Sequence, residues 1–207
     1  MDFQRSFIDP VAGPVAGQPH RGPGLWRPMN PPIRSWRGQR VWVVGASSGI
    51  GLAAAELLIA QGATVLASAR GEKGLQQLVV RHTRTGVPPT VQAWPLDVTD
   101  AQAVAFTARS LLAEGPLDLV LFCAGHYRAL RSDAFDLADM QRHTAINYQG
   151  ALNLLDALLP ALIARGRGHI SLVSSVAGFR GLPKGLAYGP TKAALTHLGE
   201  TLYLDLA

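Results

Sequence analysis

Charge is scarce in this 207-residue chain: Asp, Glu, Lys and Arg together make up 16%, against 48% hydrophobic residues. That balance excludes a chain disordered throughout, and the length suffices for one α/β core. Cysteine is nearly absent. With Cys123 alone no disulfide can close within the chain, and a reducing, cytoplasmic setting is expected. Long apolar runs are missing as well; none approaches the roughly 18 residues that span a bilayer. The N-terminus has no signal-peptide apolar stretch. Runs of Lys and Arg interleaved with aromatics are also lacking, so the net charge of +5 needs another source. Six arginines against Asp2 and Asp9 give residues 1–40 a charge of +4, and thirteen basic against twelve acidic groups leave +1 for the remainder. The basicity is therefore a property of the N-terminal segment. Neither nucleic acid nor a membrane is expected as a partner.

Residues 1–38 read as a Pro/Gly/Arg-rich leader, holding half of the prolines (Pro10, Pro14, Pro19, Pro23, Pro28, Pro31, Pro32) among Gly13, Gly17, Gly22 and Gly24. Such a segment buries too little apolar surface to offset its ordering entropy and is expected to be disordered. Met29 is an alternative start. From residue 39 the pattern alternates strand and helix, which predicts one folded α/β domain over 39–207, read below from its motifs as the dinucleotide-binding part. Short apolar strands are expected at Val41–Val44, Thr64–Ala67, Thr90–Leu96, Leu117–Phe122 and His169–Val173. Helices are expected at Ile50–Gln61, 72–84, Asp100–Glu114, Leu137–Ala164 (kinked or shortened by Pro160) and from Tyr188 onward, with Pro190 in its first turn. Repeated βα units of this kind predict a doubly wound parallel sheet covered on both faces, a three-layer α/β/α architecture of strand order 3-2-1-4-5.

Three motifs carry chemistry. The first strand runs into Gly45-Ala46-Ser47-Ser48-Gly49-Ile50-Gly51 and then a helix. Backbone N–H groups at such a helix start, with the dipole behind them, favour a pyrophosphate. Small residues let the phosphates approach, and Gly51 lets helix pack on strand. The bland alternative is a plain strand–helix turn. Second, Ala69 stands where dinucleotide folds place the carboxylate that binds the ribose of NAD, and Arg70 follows it. A guanidinium suits the 2′-phosphate of NADP, so NADP(H) is favoured over NAD(H); the alternative is an ordinary surface charge. Third, Tyr188 and Lys192 are four residues apart, one turn of helix, with Ser175 thirteen residues upstream. A cation fixed beside a tyrosine favours the phenolate, so the pair reads as an acid/base with a hydroxyl partner. Standing alone, it reads equally as an amphipathic residue beside a solvated charge.

Taken together, Gly45–Gly51, Leu96-Asp97-Val98, Cys123-Ala124-Gly125, Asn147, Ser175 and Tyr188–Lys192 resemble the short-chain dehydrogenase/reductase family in its single-domain branch. The likeness covers residues 38–207. It implies a nicotinamide-dependent oxidoreductase acting on a carbonyl or secondary alcohol. By that resemblance Asp97 and Val98 meet the adenine end, and Ala124-Gly125 borders the cofactor. Tyr188 is the general acid or base, and Lys192 holds the nicotinamide ribose. Ser175 bonds the substrate oxygen, Ser174 being a less well-spaced alternative. Asn147 holds a water that links Lys192 to solvent. His126 and Tyr127 are substrate-pocket candidates. Cys123 reads as a small buried thiol rather than a nucleophile. The six histidines lack metal-ligand spacing, which argues against zinc.

The pattern departs from the family in three places. Val44 replaces the usual threonine. Phe122-Cys123 replaces two asparagines, which predicts a lost brace and a less rigid turn. The family also continues beyond the helix that starts at Tyr188, with further strands and a substrate-binding segment, so a C-terminally shortened chain is expected. That leaves a second reading, a non-catalytic NADP-binding fragment, and a third, an interaction protein working through its basic tail. A homodimer or homotetramer is expected through apolar helix faces that include Leu195, Leu198 and Leu202.

Overall fold

A computed structural model describes residues 33–83 and 90–206. The expected leader therefore lies outside the described residues apart from 33–38, as does the last residue of the helix expected over 72–84. Residues from Ser35 onward form one compact unit.

Strand β1 (Arg40–Val44) lies at the centre because its apolar side chains suit burial on both faces; Val41 through Val44 are all buried. It pairs in parallel with β2 (Thr64–Ala69) and with β4 (Leu119–Phe122). Strand β3 (Val91–Pro95) extends the sheet beyond β2, and β5 (His169–Leu172) beyond β4. The order is 3-2-1-4-5, as expected. It reverses between β1 and β4, and in such sheets ligands bind in the crevice at the C-terminal ends of those strands.

Two helices, α1 (Gly49–Ala60) and α2 (Glu72–His82), close a core over one face with Ala55, Leu58, Leu75 and Leu78. Helix α3 (Ala101–Glu114) begins at Asp100, whose carboxylate accepts the N–H groups of Gln102 and Ala103. It packs with α5 (Gly150–Arg165) and α6 (Tyr188–Leu206) on the other face, around Trp42, Phe122, Leu154 and Leu195. Trp42 carries a brace of its own: its indole N–H donates to Ser68 Oγ at 2.9 Å, a buried link from β1 to β2.

The long helix expected over Leu137–Ala164 is three pieces. Helix α4 (Leu137–His143) runs into a π-helical turn, Thr144–Gln149, and then into α5. Pro160 neither ends nor shortens it; α5 continues to Arg165 and stops at Gly166, which takes φ +65°. Leu195 is buried within this chain's own core, so it is unavailable to a partner, while Leu198 and Leu202 are half-buried.

Candidate active site

The loop after β1 is built to hold backbone close to backbone. Gly45 takes φ +99°, and a Cβ there would lie 2.6 Å from Ala124 N. A Cβ on Gly51 would lie 2.2 Å from Gly45 O and 3.2 Å from Cys123 Cβ. These contacts press the start of α1 against both the glycine loop and the Cys123-Ala124-Gly125 turn after β4. Ser48, at the N-cap of α1, makes no side-chain cap bond, and no acid lies in the first turn. Unspent N–H groups, a positive helix end and exposed Ser48, Gly49 and Ile50 suit a pyrophosphate. Ser47 is half-buried against Gly74 of α2, where a Cβ would come within 2.9 Å of it.

Arg70 is exposed at the C-terminal end of β2 and forms no ion pair among the described residues. Asp97 is half-buried, and its Oδ1 accepts from both Thr99 N and Thr99 Oγ1 at 3.0 and 2.8 Å. Val98, expected at the adenine end, has a buried side chain. Its isopropyl group belongs to the core against Gly150, and its carbonyl accepts from Asn153 Nδ2 at 2.9 Å. Its side chain therefore fixes the loop.

Tyr188 opens α6, and Lys192 follows one turn later with Nζ 5.5 Å from the centre of the tyrosine ring. Lys192 is buried at 4% exposure, and its Nζ donates to Val173 O at 2.7 Å. Burial pushes its pKa below that of an ordinary lysine, against an opposing pull from Cys123. The Cys123 thiol is pushed up by burial, with Lys192 opposing; this fits a small half-buried thiol and not a nucleophile.

The two serines separate clearly. Ser174 Oγ is spent on α6, bonding Lys192 O at 2.9 Å and Thr196 Oγ1 at 2.7 Å. Ser175 Oγ accepts only the N–H of Ala177, at 3.2 Å, which leaves its own O–H to donate elsewhere. The short 3₁₀ turn after it, Val176–Gly178, packs on the start of α6: a Cβ on Gly189 would lie 3.1 Å from Ala177 O, and one on Gly178 would lie 2.9 Å from Lys192 O.

Asn147 is fully buried inside the π-helical turn. Its Oδ1 accepts His126 N–H at 2.6 Å, while Nδ2 donates to His126 O and to Thr191 Oγ1, each at 3.0 Å. Both amide hydrogens are thus taken by protein, and the side chain is a strut between the turn after β4 and α6. A Cβ on Gly125 would lie 3.7 Å from Asn147 Oδ1 and 3.9 Å from Lys192 Nζ, so Gly125, Asn147 and Lys192 meet at one point.

Residues 39–207 match the family described as short chain dehydrogenase. The chain belongs to the short-chain dehydrogenase family. Among its relatives, an uncharacterized oxidoreductase of Myxococcus xanthus is 40% identical over 165 residues, which cover 79% of this chain and 64% of that protein. One from Mycobacterium tuberculosis is 35% identical over 174 residues, 82% of this chain and 51% of that one. The chain thus spans about half to two thirds of the length of these relatives. Among solved structures, NAD+-bound xylitol dehydrogenase superposes with a TM-score of 0.77 at 31% identity, over 83% of this chain and 66% of that one. Gluconate 5-dehydrogenase from Burkholderia cenocepacia, in complex with NADP and tartrate, gives 0.75 at 28% identity, over 82% and 67%.

Residues that the sequence does not single out also reach the site. Asp139 and His143, one turn apart on α4, join His126 in a buried cluster, with the two imidazole rings 4.4 Å apart. The i, i+4 spacing of Asp139 and His143 is the only local signal; the partner, His126, comes from another element.

Proposed function

We propose that this chain is a nicotinamide-dependent oxidoreductase that interconverts a carbonyl and a secondary alcohol. The observation that carries this reading is the buried Lys192 ammonium one turn from the Tyr188 ring, in a chain whose phosphate-type loop is packed so closely that a Cβ on Gly45 or Gly51 would strike backbone. The nicotinamide, when bound, supplies or accepts the hydride. The glycine loop Gly45–Gly51 holds the pyrophosphate on the start of α1, Asp97 faces the adenine end, and Ala124-Gly125 borders the cofactor. Arg70 favours NADP(H) over NAD(H), because a guanidinium can meet a phosphate with two parallel hydrogen bonds.

In reduction, Tyr188 Oη gives its proton to the carbonyl oxygen as the hydride arrives at the carbon; in oxidation it takes that proton back. Lys192 favours the phenolate form by its charge and holds the ribose hydroxyls through the donors that Val173 O does not use. Ser175 donates its O–H to the substrate oxygen, where charge develops. Asn147 keeps the turn after β4 and the helix of Tyr188 in fixed register. The apolar residues of α6 beyond Leu195, including Leu198, Leu202 and the exposed Leu204, form the face through which a homodimer or homotetramer is assembled.

Tyr188→Phe tests the assignment. It should lower NADPH-dependent carbonyl reduction by about 100-fold or more, the ordinary contribution of a general acid, while NADPH affinity stays within a few-fold. Turnover near that of the unaltered protein would refute the role. NADPH binding with no turnover of any carbonyl by the unaltered chain would favour the reading as a nucleotide-binding fragment.

A further inference from the structure

Tyr127 is 60% exposed, yet its ring stands edge-on to Tyr188, with centroids 5.1 Å apart and planes at 80°. An exposed aromatic on a loop ordinarily turns freely, but the backbone on either side of this one is held. The N–H and the C=O of His126, the residue before it, are both bonded to Asn147. The N–H of Arg128, the residue after it, donates to His143 Nε2 at 3.2 Å. The His126 ring is held in turn, with Nε2 3.0 Å from Asp139 Oδ1, and the Arg128 guanidinium reaches Asp136 Oδ2 at 2.8 Å. All these anchors lie on α4, its N-cap Asp136 and the π-helical turn.

His126, Asp139 and His143 bring their ligand atoms within 4.8 Å of one another, but the hydrogen bonds speak against a metal. His143 accepts the Arg128 N–H at Nε2, so its proton sits on Nδ1, which faces Asp139 O at 2.8 Å. Neither nitrogen has a lone pair to give, and two ligands are too few for a closed zinc site. The cluster is a clamp on the loop. Asp139 is buried, with Oδ2 lacking a hydrogen-bond partner among the described residues. A carboxylate at such cost makes sense where its position matters more than its stability.

The geometry points to Tyr127 as the specificity-determining wall beside the reacting carbonyl, with His126 and Asp139 as the positioning pair that aims it. The substrates it selects carry an aromatic or flat apolar group on the carbonyl carbon. Such a group covers the exposed ring of Tyr127 while the carbonyl oxygen meets Tyr188. This inference rests on the reaction proposed above, so binding and turnover are read separately.

The test compares acetophenone with butanone in the presence of NADPH, by equilibrium binding and by steady-state turnover. The unaltered protein should bind acetophenone about tenfold more tightly than butanone, the scale of one aromatic contact. Tyr127→Ala should abolish that preference and Tyr127→Phe should keep it. Asp139→Leu should lose it through a raised KM with kcat little changed, and Asp139→Asn, which keeps an oxygen for His126, should restore it. Should Asp139→Leu not fold, His126→Phe tests the same link. No preference in the unaltered protein, or a preference that survives Tyr127→Ala, overturns the inference. Preferential binding without turnover supports the wall and instead overturns the hydride-transfer reading.

Discussion

Replacing Gly51 with alanine places one carbon where the structure has least room. The new Cβ would meet Gly45 O at 2.2 Å, whereas ordinary contact begins at 3.4 Å. The atom in the way is backbone, on a loop itself held by Gly45 against Ala124 N. No side-chain rotation can relieve the clash, and the start of α1 must move by about an ångström. Overpacking a tight site costs about 1–3 kcal/mol when side chains can yield, so a backbone clash belongs at the top of that range, about 3 kcal/mol. At roughly 2–4 °C per kcal/mol for a domain of this size, the melting temperature should fall by about 6–12 °C.

Two other glycines make this a graded test. Gly49 has open space around its Cβ position but takes φ +56°, so Gly49→Ala should cost only the left-handed backbone term, about 1 kcal/mol. Gly71 has neither crowding nor positive φ, and its alanine variant should stay within about 0.5 kcal/mol. Thermal or urea unfolding of the three variants gives the order, and NADPH titration should show affinity falling most for Gly51→Ala. Equal stability of the Gly51 and Gly71 variants would refute the close-packed cradle.

Further outcomes follow from single contacts. Arg70→Asp should reverse the cofactor preference from NADP toward NAD, measured by thermal shift with each; an unchanged preference would make Arg70 an ordinary surface charge. Lys192 has a folded pKa below its unfolded value of 10.5, so over the alkaline range beneath 10.5 the unfolded chain binds more protons. Stability should therefore rise with pH across that window, and the rise should vanish in Lys192→Met, as followed by urea unfolding at several pH values. Trp42→Phe removes the indole N–H and leaves Ser68 Oγ without its donor in a buried site, which should cost about 1–3 kcal/mol in the same assay.

The strands and their order were legible because the information is local. Val41-Trp42-Val43-Val44 can only be a buried strand, and a glycine loop after it can only open a crossover. The placement of Tyr188 and Lys192, one helical turn apart, was legible as spacing. What escaped depends on contacts between distant elements. No residue pattern marks the π-helical turn, since Thr144–Gln149 reads like ordinary helix. The link from Trp42 to Ser68, and the meeting of His126 with Asp139 and His143, arise from pairing across elements. Spacing to Tyr188 already favoured Ser175 over Ser174, but that Ser174 is spent on Lys192 O and Thr196 Oγ1 depends on contacts across elements.

The same point resolves the turn after β4. Two asparagines missing at Phe122 and Cys123 predict a looser turn, because a bracing side chain is lost. Phe122 instead goes wholly into the core, and its carbonyl accepts Val173 N–H from the β5 side at 3.0 Å. The bracing has moved outward along the chain. Asn147 supplies two bonds to the backbone of His126, His143 supplies one to Arg128, and Asp139 holds the His126 ring. At about 1 kcal/mol net for each neutral bond, this set can replace what a pair of asparagines would give. The anchor differs, however: asparagines in the turn would tie it to the sheet, whereas these bonds tie it to α4 and the π-helical turn. The position of Tyr127 against Tyr188 is then set by a helix whose own geometry is interrupted at Asn147, and that interruption is what lets Asn147 face the loop and Thr191 at once.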